Sequence, residues 1–141
     1  MNEETLKQKL LSEFKKTPNC YLKKYNSGMY SAGMPDLIGY INEKFIAIEV
    51  KVITLPKRET TAIKPFKNVT PLQKVTIQDI NDNSISKKCA FVIAGGLDQK
   101  GKLKILYITD MWHVWFFVIS NVDGIIKQLI NIKENNGKEI T

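Results

Sequence analysis

Residues 36–51 read DLIGYINEKFIAIEVK, and this stretch decides the fold. Two runs rich in β-branched and aromatic residues, Leu37–Ile41 and Phe45–Val52, flank the polar segment Asn42-Glu43-Lys44. Such a pattern predicts a β-hairpin. In the second strand, one face is predicted to turn toward the core because every second residue on it is β-branched: Ile46, Ile48, Val50 and Val52.

The residues able to do chemistry lie at the open end of this hairpin. If Asn42-Glu43 forms a two-residue turn, Asp36 lies directly opposite Glu49. Opposed side chains share a face, with Cβ atoms roughly 5 Å apart. Lys51, two residues past Glu49, points to the same side. A three-residue turn would shift the pairing by one residue and separate the three groups.

Two carboxylates that face each other repel, so either one is protonated or a cation lies between them. Hard oxygen ligands suit Mg²⁺ or Mn²⁺, held by Asp36, Glu49, the carbonyl of Val50 and waters. Such an ion also binds phosphate oxygens. Lys51 would then orient or deprotonate the attacking water, or neutralise charge on the phosphate. Taken separately, Pro35-Asp36 and Glu-x-Lys are common surface patterns, and only their shared register favours a site.

The other elements follow from periodicity and from helix start and stop signals. An amphipathic helix is predicted from Asn2 to Lys16, and an extended segment around Cys20–Tyr25. Thr70-Pro71-Leu72-Gln73 is typical of a helix start, with Thr70 as N-cap, and this helix is predicted to end near Asn81. The remaining predictions are a strand that stops at Gly95-Gly96, two further strands and a last helix: Cys89–Ala94, Leu103–Ile108, His113–Ile119 and Asp123–Ile132.

This order of elements predicts an α/β fold, a mixed β-sheet with helices on its faces. One domain is expected over residues 1–132, followed by a polar C-terminal tail over residues 133–141. Two cysteines cannot form a disulfide framework or a four-ligand zinc site, and a lone His113 cannot complete one. No signal peptide opens the chain and no run approaches ~20 apolar residues, so no membrane contact and a cytoplasmic location, or a host's cytoplasm for a phage protein, are expected.

The charge balance favours a polyanionic partner. The chain has 21 Lys and Arg against 14 Asp and Glu, a net charge of +7. Basic proteins gain affinity for nucleic acid because each neutralised phosphate releases counterions. The long loop 53–68 is rich in basic residues that would seat a DNA backbone if they share a face with Asp36: Lys57, Arg58, Lys64 and Lys67. The other interpretation of these residues is a solvated surface.

Three motifs together resemble those of a known family. Gly33-Met34-Pro35-Asp36-Leu37, then Ile48-Glu49-Val50-Lys51, then Thr70-Pro71-Leu72-Gln73 resemble the PD-(D/E)XK nuclease superfamily, above all its VRR-NUC branch. The segment Phe66-Lys67-Asn68 is also similar to bacterial Holliday junction resolvases of that superfamily. The resemblance covers roughly residues 3–94 and implies a restriction-endonuclease-like mixed sheet flanked by helices.

The resemblance implies a role for individual residues. Asp36 and Glu49 match the metal-binding carboxylates, Lys51 the catalytic lysine and Gln73 a glutamine beside the site. Gln73 could equally complete a capping box with no catalytic part. Glu4 matches a first-helix glutamate near the metal, although Glu3 and Glu13 compete with it and a first-turn acid also complements the helix dipole.

Lys24 and Tyr30 are predicted to lie in the loop before Gly33, where relatives carry a basic residue that holds phosphate. The implied function is a Mg²⁺-dependent endonuclease that hydrolyses DNA, selects branched DNA or Holliday junctions and acts as a homodimer. Two alternatives stay open. One is a DNA-binding module with an unused nuclease site, and the other is a defence-system nuclease acting on RNA or linear DNA.

Overall fold

The computed structural model of the protein describes residues 1–25, 33–58, 60–85, 88–111, 117–119 and 121–134. Over these ranges the chain forms three helices and six strands. Their order is α1 (Glu3–Lys16), β1 (Cys20–Lys24), β2 (Leu37–Ile41), β3 (Lys44–Thr54), α2 (Pro71–Asp82), β4 (Ala90–Leu97), β5 (Leu103–Thr109), β6 (Phe117–Ile119) and α3 (Val122–Glu134).

The six strands form one mixed sheet in the order β1-β2-β3-β4-β5-β6. Every neighbouring pair is antiparallel except β3 and β4, which are parallel and are joined through α2. A parallel pair needs such a crossover connection because a tight turn cannot join it. The predicted α/β class, a mixed sheet flanked by helices, is confirmed.

The β2–β3 turn sets the register on which the site depends. Asn42 and Glu43 both have positive φ, 49° and 69°, as a two-residue type I′ turn requires. Ile41 therefore pairs with Lys44, and the ladder continues to the pair Leu37–Ile48. The predicted two-residue turn and its register are confirmed.

Alternation along β3 divides the core between the two faces of the sheet. Ile46, Ile48 and Val50 pack in the main core with α1 and α3, as the predicted core face requires. Ala47 has the opposite orientation and packs in a smaller cluster with Ile77 of α2. Glu49 and Lys51 share the parity of Ala47, so they lie on the α2 face.

The helices begin as their sequences indicate. The side chain of Asn2 caps α1 by accepting from the backbone N–H of Thr5 at 2.9 Å. At α2 the predicted capping box between Thr70 and Gln73 is present in both directions. Gln73 of this capping box also donates to Glu49, so the N-terminus of α2 lies beside the middle of β3.

Two predicted boundaries are wrong. β4 does not stop at Gly95-Gly96 but continues to Leu97. A Cβ on Gly96 would lie 2.6 Å from Cγ2 of Ile105, so this glycine makes room for a neighbouring side chain within the strand. The last helix does not end at Ile132, because α3 extends to Glu134, and the buried Lys133 donates from Nζ to the carbonyl of Lys88 at 3.2 Å.

Some predictions concern residues that lie wholly or partly outside the described ranges. Of the predicted strand His113–Ile119, the described part is Phe117–Ile119, and His113 lies outside the described residues, as does Tyr30. Among the helices that the structure describes, none is both long enough and apolar enough to cross a membrane.

Candidate active site

The site lies where β3 runs past the end of β2. The ladder between these strands ends at Leu37–Ile48, whereas β3 continues to Thr54. The backbone N–H of Val50, which has no β2 residue opposite it, donates to Oδ2 of Asp36 at 2.8 Å. Asp36 therefore replaces a strand partner at this open edge, and its carboxylate is fixed against β3.

The same edge presents the carbonyl of Val50 toward Asp36. In a β-strand the N–H and C=O of one residue point to the same side. The next carbonyl on this edge, that of Val52, accepts from Nδ2 of Asn68 at 3.2 Å. The Val50 carbonyl therefore points to the same open edge as the N–H that donates to Asp36.

Glu49 is the most unusual group of the site. It is only 2% exposed, although it is ionisable. Burial raises the pKa of Glu49 to about 8, with further upward contributions from the charge of Asp36 and from a hydrogen bond between the two carboxyl groups. Lys51 and Lys7 act in the opposite direction without cancelling the effect. The repulsion expected from two opposed carboxylates is therefore present.

Lys51 and Gln73 both lie close to the same oxygen of Glu49, Oε1. Nζ of Lys51, itself buried, lies 3.8 Å from Oε1 of Glu49. Nε2 of Gln73 donates to that oxygen at 3.0 Å. The three predicted residues Glu49, Lys51 and Gln73 are thus brought together, one side chain from α2 meeting two from β3.

The two interpretations of Gln73 are compatible because its amide has two ends. Its Oε1 accepts from the backbone N–H of Thr70 at 3.0 Å, and Oγ1 of Thr70 accepts from the backbone N–H of Gln73 at 3.1 Å. Its Nε2 remains directed to Glu49. The cap holds the side chain in the orientation that reaches the carboxylate.

Lys7 was missed by the sequence reasoning. Its Nζ, on α1, lies 3.2 Å from Oδ1 of Asp36, and both side chains are largely buried. One signal was available, since Lys7 lies three residues after Glu4 and residues with that spacing share a helix face. A helix predicted to bring Glu4 near the site should bring Lys7 there as well.

Glu4 lies at the margin of the site. It is exposed, and its Oε1 contacts Nζ of Lys24 and Nε2 of Gln8, the latter at 3.2 Å. The hydrogen bond from Lys24 lowers the pKa of Glu4. Within the described residues no group of three or more His, Cys, Asp and Glu side chains is arranged to hold a metal, so Glu4 does not join Asp36 and Glu49 in such a group.

The predicted extended segment around Cys20–Tyr25 is confirmed as strand β1. Lys24 lies in this strand, where it pairs with Leu37, and not in the loop before Gly33. An edge strand added beside β2 carries it to the mouth of the site. There Lys24 lines a cavity of about 340 Å³ together with Lys7, Tyr25 and Asp36.

Gly33 explains how the strand that begins after Asp36 can approach α2. Its φ is +87°, in the region that favours glycine, and a Cβ there would lie 2.5 Å from Cγ of Leu72. Leu72 precedes Gln73 on α2. The glycine of the motif thus permits the close packing that sets Asp36 beside the helix carrying Gln73.

The basic residues of the β3–α2 connection are all exposed: Lys57, Arg58, Lys64 and Lys67. Phe66 anchors this connection by packing against both apolar clusters on the α2 face. Asn68, the residue after Lys67, donates from Nδ2 to the carbonyl of Val52 on the open edge of β3. The connection leaves β3 after Thr54, three residues past Lys51, and contact of these four basic residues with DNA remains a prediction.

The donor set fits a hard divalent cation with few protein ligands. The described residues contain no group of three or more His, Cys, Asp and Glu side chains arranged to hold a metal. Two carboxylates and one main-chain carbonyl suit Mg²⁺, which keeps several waters and is bound through one or two carboxylates. A cation between Asp36 and Glu49 would also remove the repulsion that raises the pKa of Glu49.

Comparison with known proteins gives no match: no family model and no curated protein matches the chain. The resemblance to PD-(D/E)XK nucleases therefore remains a prediction. The function has to be inferred from the geometry of the residues themselves.

Proposed function

We propose that the protein is a metal-dependent nuclease that hydrolyses DNA phosphodiester bonds. The observation that carries the proposal is the buried carboxyl of Glu49, opposed by Asp36 and approached by Lys51 and Gln73. Burying an ionisable group beside a like charge destabilises a fold. Perturbed carboxyls of this kind concentrate at functional sites. The motifs shared with PD-(D/E)XK nucleases support the same conclusion.

Each residue has a distinct task in this proposal. Asp36, Glu49 and the Val50 carbonyl would hold Mg²⁺ or Mn²⁺, which supplies Lewis acidity at a phosphate oxygen and activates water. Lys51 lies beside Glu49 and offers a positive charge to the reacting phosphate or a site for the water proton. Gln73 holds the Glu49 carboxylate in place.

Charge supports DNA as the substrate. The net charge of +7 favours a polyanion, and the proposed backbone contacts are Lys24, Lys57, Arg58, Lys64 and Lys67. The resemblance to junction resolvases favours branched DNA or Holliday junctions, a homodimer and a cytoplasmic place of action.

One observation favours the second candidate, a DNA-binding module whose nuclease site is unused. Lys7 pairs with Asp36 and Lys51 lies near Glu49, so each carboxylate has an amine partner without any metal. In such a protein these ion pairs would be purely structural.

The test is cleavage of linear, flap and four-way DNA by the full chain. We expect cleavage with Mg²⁺ or Mn²⁺ and none in EDTA. Glu49→Gln and Lys51→Ala should each lower the rate by about 10³-fold. Matched controls are Glu134→Gln and Lys127→Ala, exposed residues of α3 that should leave the rate unchanged. Cleavage that survives both site substitutions would remove the assignment, and binding without cleavage under every metal would favour the second candidate.

A further inference from the structure

Three aromatic side chains form an exposed row across neighbouring strands. Tyr21 pairs with Tyr40 and Tyr40 pairs with Phe45, on β1, β2 and β3. The rings of Tyr21 and Tyr40 stack with centroids 5.5 Å apart. The three residues, called here the aromatic row, are 48%, 45% and 49% exposed, so about half of each remains open to solvent.

The aromatic row lies on the same face of the sheet as the two carboxylates. Tyr40, on β2, lies four residues after Asp36, which directly precedes that strand. Phe45 lies four residues before Glu49 on β3, so alternation gives each pair one orientation. Four strand residues span roughly 14 Å. Helix α2 covers this face over Ala47 and β4 and leaves the aromatic row uncovered.

A cation lies between the row and the carboxylates. Lys23 on β1 is directly opposite Ile38, two residues from Tyr40 and two from Asp36, and it is exposed. A lysine on an edge strand also discourages edge-to-edge pairing with another chain. Both roles are compatible, because an exposed amine can meet a phosphate passing along the face.

The surroundings of the aromatic row fit bases better than phosphates. A shallow depression of about 870 Å³ beside it is lined by Asn19, Asn42, Glu43, Tyr40 and Phe45. Glu43 would repel a phosphate there, whereas asparagine amides and aromatic rings suit base edges and base faces. Proteins that bind single strands on a sheet combine such rings with nearby cations.

We infer that the aromatic row receives unpaired bases of a single-stranded arm, while the scissile phosphate lies at Asp36 and Glu49. The intervening 14 Å or so corresponds to roughly four base steps at ~3.4 Å each. Lys23 would contact the backbone in between. This inference rests on the proposed function and adds a preference for substrates in which a single strand adjoins the cleaved bond.

A second copy of the chain is a poorer occupant. A large aromatic residue buries about 200 Å², so three half-exposed rings offer roughly 300 Å². A stable interface takes about 800 Å² from each partner. The aromatic row alone is therefore too small for a dimer contact but large enough to stack two or three bases.

The experiment compares a blunt duplex with the same duplex carrying a six-nucleotide single-stranded tail. Binding of the full chain is measured by fluorescence anisotropy in EDTA, where no cleavage is expected. The tail should tighten binding by the wild type, and Tyr40→Ala should weaken binding of the tailed DNA about tenfold while sparing the blunt duplex. Tyr40→Phe should retain the preference because the ring remains, and Ile85→Ala, which removes a fully exposed apolar side chain elsewhere, should retain it too.

Phe45→Ala provides a second variant, and thermal melts verify that each variant is folded. An unchanged tail preference in folded Tyr40→Ala and Phe45→Ala would overturn the inference. So would absence of any tail preference in the wild type, or conversion of a dimer to a monomer by either substitution in sedimentation velocity. The proposed function fails differently, through absence of metal-dependent cleavage of every DNA by the wild type.

Discussion

A buried polar side chain lies near each end of helix α2: Asn81 of the helix itself at the C-terminal end, and Glu49 of β3 at the N-terminal end. The surroundings of these two side chains differ. At its C-terminal end Asn81 is fully buried, and its Nδ2 donates to the carbonyls of Ala90 and Asp110 at 2.8 and 3.3 Å. Its Oδ1 accepts from the backbone N–H groups of Cys89 and Ala90 at 2.9 and 2.7 Å. An asparagine amide offers two donors and two acceptor positions, and here all four are used.

At the N-terminal end, Glu49 is almost as deeply buried, but its surroundings disfavour its charged form. A second carboxylate faces it, and the pKa of Glu49 is raised to about 8. Neutral and fully bonded, Asn81 joins α2 to β4 and to the residue after β5, which is a structural task. An ionised Glu49 is destabilised by its burial and by the charge of Asp36, and a glutamine in its place would not be. The difference teaches that a like-charged neighbour beside a buried ionisable group, and not burial itself, distinguishes the end of the helix at the candidate site.

The largest stability effect should come from the structural end. Asn81→Ala should lower the free energy of unfolding by about 3 kcal/mol, because it leaves buried backbone groups of Cys89, Ala90 and Asp110 without this partner. Urea denaturation measures this. The matched control is Asn83→Ala, an exposed asparagine whose amide bonds one carbonyl, that of Asp79, and it should lose less than about 1 kcal/mol. Equal losses in the two variants would contradict the structural role of Asn81.

The raised pKa of Glu49 should make the free energy of unfolding depend on pH. In the unfolded chain Glu49 loses its proton near 4.5, whereas in the metal-free folded protein it keeps the proton up to about 8. Between these values the unfolded state binds fewer protons, so the free energy of unfolding falls as pH rises, on the order of 1 kcal/mol per pH unit. Urea denaturation in EDTA from pH 5 to pH 8 measures the slope.

Glu49→Gln should flatten that slope and leave the protein at least as stable as the wild type at pH 7, because a glutamine can be buried without taking up a proton. Glu134→Gln, on the exposed end of α3, should preserve it. If Glu49→Gln lost as much stability as Asn81→Ala, the contrast between the two ends of α2 would disappear.

The smallest expected effects distinguish the two roles of the Gln73 side chain, capping of α2 through Oε1 and contact with Glu49 through Nε2. Thr70→Ala removes the N-cap and should lower the free energy of unfolding by about 1 kcal/mol with cleavage retained. Gln73→Ala should lose a similar amount of stability and, in addition, about tenfold in cleavage rate, because Oε1 of Glu49 is no longer held. Equal cleavage by the two variants would reduce Gln73 to a capping residue.

The hairpin and its register could be predicted because they depend on local sequence. Asn42-Glu43 between two strand-like runs fixes a two-residue turn, and period-two alternation then fixes which side chains share a face. The capping box at Thr70 is equally local. These local rules sufficed to bring Glu49, Lys51 and Gln73 to one place.

Contacts between distant elements could not be predicted in the same way. Asn81 reads as an ordinary helix residue until β4 and Asp110 close around it. The extended segment that carries Lys24 was predicted, but its pairing with the edge of β2 was not. Gly95-Gly96 reads as a strand end until Leu55 and Ile105 occupy the space of the missing side chain of Gly96. In each case the deciding partner is supplied by tertiary packing.

Anomalous diffraction from a crystal of the wild-type protein soaked in Mn²⁺ tests the central claim most directly. The account predicts one strong peak about 2.2 Å from oxygens of Asp36, Glu49 and the Val50 carbonyl, with Nζ of Lys7 displaced from Asp36. A Mn²⁺ peak elsewhere, or none at all with the Lys7–Asp36 and Lys51–Glu49 pairs intact, would contradict it.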